Sequence, residues 1–225
     1  MESFHSNPFC TRFVRPGTLD YQFSLATASL PAAEQTENLE QLAAQIQKHQ
    51  IALIVGPHGT GKTTLLHSLG SVLDNLFTNV SSVQLLLPLR QGFFARLEHS
   101  RRIARAVNLQ QASLPDRGLL IIDGAEQLSS FNISSIRRRA KRHGQFVLAT
   151  SHEPLRGFHV IHQTEMDQAI VQQLTEQLLS DMPSGISDVV REQLRQRDWT
   201  KLSNVRDLWF ELYDLVQPHF QDTPS

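Results

Sequence analysis

One cysteine, Cys10, stands alone in 225 residues. It excludes an internal disulfide framework and fits a reducing compartment. No apolar run reaches the roughly 18 residues that a bilayer-spanning helix needs. The N-terminus, Met1-Glu2-Ser3-Phe4-His5, is polar and acidic and lacks the basic-then-apolar pattern of an export signal. The cytoplasm is therefore the expected location. Net charge of one sign is missing too. The 21 Lys and Arg against 22 Asp and Glu leave −1, which predicts no general attraction to nucleic acid or to an anionic membrane. There is no internal repeat and no low-complexity tract, and the scattered histidines offer no zinc-ligand spacing. A chain of this length suits one α/β domain with a small appendage.

What is present centres on Gly56-Pro57-His58-Gly59-Thr60-Gly61-Lys62-Thr63-Thr64. An apolar run, Ile51 to Val55, precedes it and a helix-periodic run, Leu65 to Leu69, follows. The segment reads as buried strand, tight turn and helix start, and every fixed position of G-x-x-x-x-G-K-[ST] is filled. Successive backbone N–H groups converge on a phosphate only where the chain curls tightly, which glycines at 56, 59 and 61 permit. The helix starting near Lys62 adds unpaired N–H groups and the positive end of its dipole. Lys62 reaches back to the β- and γ-phosphates, and the Thr63 hydroxyl suits Mg²⁺, a hard ion that takes oxygen ligands. On these residues the chain resembles the P-loop NTPases.

A second element is Leu119-Leu120-Ile121-Ile122-Asp123. Four consecutive apolar residues read as a strand buried on both faces, as in parallel sheets. Its terminal Asp lies at the end where ligands bind in open α/β sheets. This is the Walker B pattern, and it places Asp123 on the Mg²⁺ opposite Thr63. In the additional-strand class, which includes AAA+ proteins, a Glu follows the Asp and orients the attacking water. Here Gly124 holds that position and Glu126 comes two residues later. Glu126 is read either as the displaced catalytic carboxylate or as a cap of the next helix.

Around these elements, residues 1–36 carry turn signals at Asn7-Pro8 and Pro16-Gly17 but also Phe4, Phe9, Phe13, Tyr21 and Phe23, too aromatic for a disordered tail. Such a segment is expected to pack on the domain. In AAA+ proteins it often meets the adenine, which would bring Arg12 and Arg15 near the base or phosphates. A helix is expected over 37–49, a strand over 83–87 ended by Pro88, and a helix over 93–108 with a basic exposed side at Arg96, Arg101, Arg102 and Arg105. A helix over 131–143 carries Arg137, Arg138, Arg139, Lys141 and Arg142. That cluster reads as a solvated face, as a patch for nucleic acid or an acidic partner, or as a source of an arginine for a neighbour's nucleotide.

Gln145 to His152 reads as a strand with polar residues at its end and resembles the sensor 1 strand of AAA+ proteins, with His152 in place of the usual Asn. Thr150 and Ser151 compete for the same contact, and Arg156 follows in the next turn. A fifth strand is expected at 158–162, then a helix capped by Asp167, a linker at Pro183-Ser184-Gly185 and two further helices. Ser203-Asn204-Val205-Arg206 resembles the sensor 2 motif, Gly-Asn-apolar-Arg, with Ser203 replacing Gly. The resemblance places Arg206 on a helical lid, touching the γ-phosphate. The alternative is an arginine paired with a nearby acid.

The expected architecture is α/β, a three-layer αβα core with a mostly parallel five-stranded sheet and a small C-terminal helical lid. The expected divisions are an N-terminal segment over 1–36, a P-loop core over 37–165 and a lid over 166–225. ATP is favoured over GTP because no Asn-Lys-x-Asp motif is present. A Leu-Ser-Gly-Gly-Gln signature is also missing. The resemblance implies an ATP- and Mg²⁺-dependent AAA+-like ATPase. A nucleotide-dependent binding module with little hydrolysis and a DNA-associated ATPase are the alternatives, and self-association or a protein partner is expected.

Overall fold

The computed structural model describes residues 6–25, 28–29, 32–85, 93–199, 202 and 204–221. In chain order these form α1 (Thr11–Val14), β1 (Ser24–Leu25), β2 (Ala28–Ser29), α2 (Ala32–His49), β3 (Ile51–Val55) and α3 (Lys62–Leu76). Then come β4 (Val80–Gln84), α4 (Phe93–Ser113), β5 (Leu119–Asp123), a 3₁₀ turn (Ala125–Gln127) and α5 (Ser130–Arg142). The chain continues through β6 (Phe146–Ser151), β7 (His159–Gln163), α6 (Gln168–Leu179), α7 (Ser184–Arg195), α8 (Val205–Val216) and α9 (Pro218–Gln221). Two compact units emerge. One gathers Thr36–Pro57 and Ser68–Thr164; the other gathers the described parts of Met1–Gln35, His58–His67 and Glu165–Ser225.

The first unit holds a five-stranded sheet in the order β4-β5-β6-β3-β7, with every neighbouring pair parallel. β3 and β5 are buried along their whole length, as continuous apolar runs demand of central parallel strands. β6 lies between them, so the strand feeding the glycine-rich loop and the strand ending in Asp123 are second neighbours. Because all run parallel, Val55, Asp123 and Ser151 finish on the same edge. One apolar layer, including Leu53, Leu120, Ile122, Val107, Ile136 and Val147, fills the space between sheet and helices.

β4 pairs Val80 to Leu119 and Gln84 to Asp123, so this strand starts and ends three residues earlier than its apolar content predicts. Ladder bonds to a buried neighbour hold Ser81 and Ser82 in a half-exposed edge strand, where polar side chains face water. Leu86, Leu87 and Pro88 lie outside the described residues, as do Phe4 and Ser203.

In the second unit, α6, α7 and α8 close around Val171, Leu179, Ile186, Val190, Leu194, Leu208, Leu212 and Val216. Phe9, 1% exposed, belongs to this cluster. Asn7 fixes it by donating to Tyr213 O at 2.9 Å and to Gln217 Oε1 at 3.1 Å. Arg191 clamps α7 to Glu176 of α6 at 2.7 Å. Arg197 pairs with Glu211 of α8. Ser184 and Gly185 do not form a linker. Pro183 sits at the N-cap and α7 begins at once, because proline tolerates a helix start and Ile186 and Ser187 are drawn into the core.

Candidate nucleotide site

β3 delivers the chain to Gly56, whose N–H donates to Ser151 O at 3.2 Å. The loop beyond it turns through Gly59 at φ 72° and Gly61 at φ 88°, a left-handed conformation that side chains other than glycine adopt at a cost. α3 starts at Lys62, and its first helical bond runs from Leu65 N–H to Gly61 O at 2.8 Å. The N–H groups of Lys62, Thr63 and Thr64 thus precede the helical ladder, at the positive end of the helix dipole. Thr60 and Lys62 are buried; Pro57, His58 and Gly59 are exposed.

Within the same unit the loop is closely covered. A Cβ at Gly59 would lie 2.6 Å from Asn204 Cγ, closer still to its Oδ1, and 3.2 Å from its Cα. Asn204 also caps α8, its Oδ1 accepting from Arg206 N–H at 2.9 Å. Arg206 is therefore one step into a helix whose N-terminus abuts the phosphate loop, with its side chain exposed. A Cβ at Gly61 would meet Tyr21 Cε2 at 3.2 Å. Burial, and secondarily the Glu165 carboxylate, push the Tyr21 phenol up to about 12, so it remains a hydrogen-bond donor at any physiological pH. Arg12 and Arg15 are exposed.

On the sheet edge, Asp123 is buried and organised by its neighbours. Thr150 Oγ1 donates to Asp123 Oδ1 at 2.6 Å and accepts from Gly124 N–H at 2.9 Å. Gln84 Nε2 donates to Asp123 Oδ2 at 3.3 Å. These two bonds to its oxygens hold the Asp123 carboxylate in a fixed orientation at the end of β5. Ser151, the other strand-end hydroxyl, instead accepts from Glu153 N–H at 3.3 Å.

Gly124 adopts φ 89°, turning the chain into the short 3₁₀ segment that carries Glu126. Glu126 does not cap α5. Ser129 does, accepting from Asn132 N–H at 3.3 Å. The Glu126 carboxylate reaches His152 instead, with Oε1 3.0 Å from Nε2 and both side chains about one-quarter exposed. Two residues nominated from separate sequence patterns thus form one polar pair. The backbone carbonyl of Arg156 accepts from Arg137 Nη1 at 3.1 Å, and the Arg156 side chain is exposed.

The donor set fits a nucleotide with Mg²⁺. Gly59 and Gly61 turn the loop through left-handed φ values, and Thr63 in the loop and Asp123 at the end of β5 each carry an oxygen that suits a hard cation. Among the described residues no cluster of three or more His, Cys, Asp or Glu forms a metal cage. Mg²⁺ requires none, since substrate phosphates and water supply most of its ligands. Gln84 and Tyr21 were not identified as site residues from the sequence. Gln84 carries no pattern, whereas Tyr21 was legible only as one aromatic among several.

Comparison with known proteins agrees with this geometry. No curated protein matches the chain. Among solved structures, a DNA replication initiation factor superposes with a TM-score of 0.50 at 19% identity, covering 90% of this chain and 67% of that one. AMPPCP-bound DnaA from Aquifex aeolicus superposes with a TM-score of 0.50 at 17% identity, covering 89% of this chain and 64% of that one. The chain thus spans about two thirds of their length, and at such identities the likeness speaks for the fold. The family model described as "ATPase family associated with various cellular activities (AAA)" matches residues 52–186, from β3 into α7. With well over half of its length matched in this way, the chain belongs to the AAA family of P-loop ATPases.

Proposed function

We propose that the chain binds ATP with Mg²⁺ at residues 56–64 and passes nucleotide state to its C-terminal helices through Asn204. The observation that carries this reading is the seating of Asn204 on Gly59. A single side chain both caps α8 and abuts the loop, so any shift of the loop backbone acts on the first turn of α8. Lys62 and the loop N–H groups hold the phosphates, and Thr63 and Asp123 hold Mg²⁺, which when bound offsets phosphate charge. Arg206 supplies a cation to the γ-phosphate from the α8 N-terminus. Glu126 orients or deprotonates the attacking water, and His152 positions the Glu126 carboxylate. Tyr21 covers the loop at Gly61.

Titration with a fluorescent ATP analogue tests the reading. Lys62→Ala should abolish binding, and unchanged affinity would remove the assignment. ATP should also change amide exchange at the start of α8 in the wild type and leave it unchanged in Asn204→Ala. A second reading, a nucleotide-dependent binding module with little turnover, is favoured by Gly124 and by the engagement of Glu126 with His152. ATP turnover that disappears in Lys62→Ala would decide against it.

A further inference from the structure

The nucleotide reading makes no use of the outer faces of α4 and α5. These helices pack through Ile103 and Val107 on one side and Ile133, Ile136 and Ala140 on the other. Gln111 Nε2, fully buried, ties them by donating to Ile136 O at 2.9 Å. Opposite that seam, Arg101, Arg105, Asn108 and Leu109 fall on one stripe of α4. Phe131, Ser135, Arg138 and Arg142 fall on one stripe of α5, spaced three and four residues apart. A groove runs between them. Arg101, Arg105, Leu109 and Asn132 line one end, and Arg138, Arg139 and Arg142 line the other. Asn108 belongs to both.

The groove concentrates charge in a chain whose net charge is −1. α5 contains five cations and no acid, and Glu98 is the only acid in α4. Among the described residues, none of the arginines lining the groove forms an ion pair with an acid. Arg139 Nε is buried without a hydrogen-bond partner among them. Helix-dipole stabilisation accounts for cations in the last turn of α5, which holds Arg139, Lys141 and Arg142. It does not account for Arg101, Arg105 or Arg138. Nor does it account for Phe131 at 75% and Leu109 at 64% exposure beside them.

We infer that the α4–α5 groove binds single-stranded nucleic acid. Arginines tracking a channel neutralise phosphates, and an exposed aromatic flanking them offers a face on which an unstacked base can lie. The Asn108 and Asn132 amides, which both line one end of the groove, supply donors and acceptors for base edges or sugars. An acidic peptide would satisfy the cations but has no use for the Phe131 ring. A duplex keeps its bases stacked away from that ring. The site stands apart from residues 56–64 in the sequence and uses none of them.

The test is fluorescence anisotropy of a labelled oligothymidylate of roughly 20 nucleotides, titrated with the full chain across a range of NaCl concentrations. Each phosphate contact contributes about 0.7 to the slope of log affinity against log salt for single strands. Arg138→Ala/Arg142→Ala should therefore flatten the slope by about 1.4 and weaken binding at low salt at least tenfold. Phe131→Ala should weaken binding about fivefold or more with the slope preserved. A duplex of equal length should bind more weakly, and Lys62→Ala should bind the oligonucleotide as the wild type does. The exposed substitutions should leave the thermal midpoint nearly unchanged, which separates lost binding from lost folding. Wild-type affinity in the double arginine variant would overturn the inference. So would equal binding of duplex and single strand with no Phe131 effect, or capture of polyglutamate in place of the oligonucleotide.

Discussion

Gly59→Ala offers a measurable readout of the loop's contact with α8. Two costs are expected. An L-residue at φ 72° carries about 1–2 kcal/mol of left-handed strain. The new Cβ would also sit 2.6 Å from Asn204 Cγ, so Asn204 must leave and α8 loses its cap, a further ~1 kcal/mol. The single variant should lose about 2–3 kcal/mol in all. At 2–4 °C per kcal/mol for a chain of this size, that is on the order of 5–10 °C in thermal midpoint. Asn204→Ala alone loses only the cap, about 1 kcal/mol. In the double variant the cap and the clashing amide are both already gone, leaving the Cβ only its tight 3.2 Å approach to the residue-204 Cα, so the total should come close to Gly59→Ala alone. The coupling energy should be about 1 kcal/mol in favour of the pair of changes. Urea unfolding of the four proteins measures it, and ATP titrations on the same set show whether the loop still closes on phosphate. Strict additivity would refute the claim that Asn204 sits on Gly59.

Thr150→Val keeps side-chain shape but removes both the donor to Asp123 and the acceptor for Gly124 N–H. It should lose about 2–3 kcal/mol in urea unfolding and weaken Mg²⁺-dependent nucleotide binding, whereas Thr150→Ser should retain both. Glu126→Gln should slow ATP turnover with little change in ATP affinity. His152→Ala should lower kcat in the same direction through loss of the 3.0 Å contact; equal rates in both variants would return the pair to a structural role. Stability should also fall with acid. Burial holds His162 below its ordinary value. His49, stacked on His159 at 3.5 Å, is lowered by desolvation and then by the charges of His159 and Lys48. As pH falls through about 6.5, the unfolded chain takes up these protons first. Stability present above that value is then lost on the acid side. Thermal midpoints between pH 8 and pH 5 check this, and His162→Gln should flatten the curve.

Local pattern was enough for the central strands and the phosphate loop. A short apolar run flanked by turn residues suits a strand buried on both faces, and β3 and β5 fall where their residues predict. The glycine spacing and Lys62-Thr63 likewise allow one local geometry, a curled loop feeding a helix. Elements whose composition is ambiguous behaved differently. β4 includes two serines because its pairing with β5, not its own hydrophobicity, sets its ends. α7 absorbed Ser184 and Gly185 because packing of Ile186 outweighs two weak helix formers. Glu126 could be read from sequence as a cap or as a catalytic group, and only the structure showed that Ser129 takes the cap of α5.

The sequence by itself determined the chemistry available: amides, an ammonium and a hydroxyl at 56–64, and an acid ending an apolar strand. Those depend on neighbours in the chain, and short-range sterics fix them. Only the tertiary structure decided that β6 inserts beside β5, bringing Thr150 onto Asp123 and His152 onto Glu126. It also decided that Asn204, far along the chain, rests on Gly59. Contacts of that kind arise from strand order and helix packing, which sequence spacing does not encode.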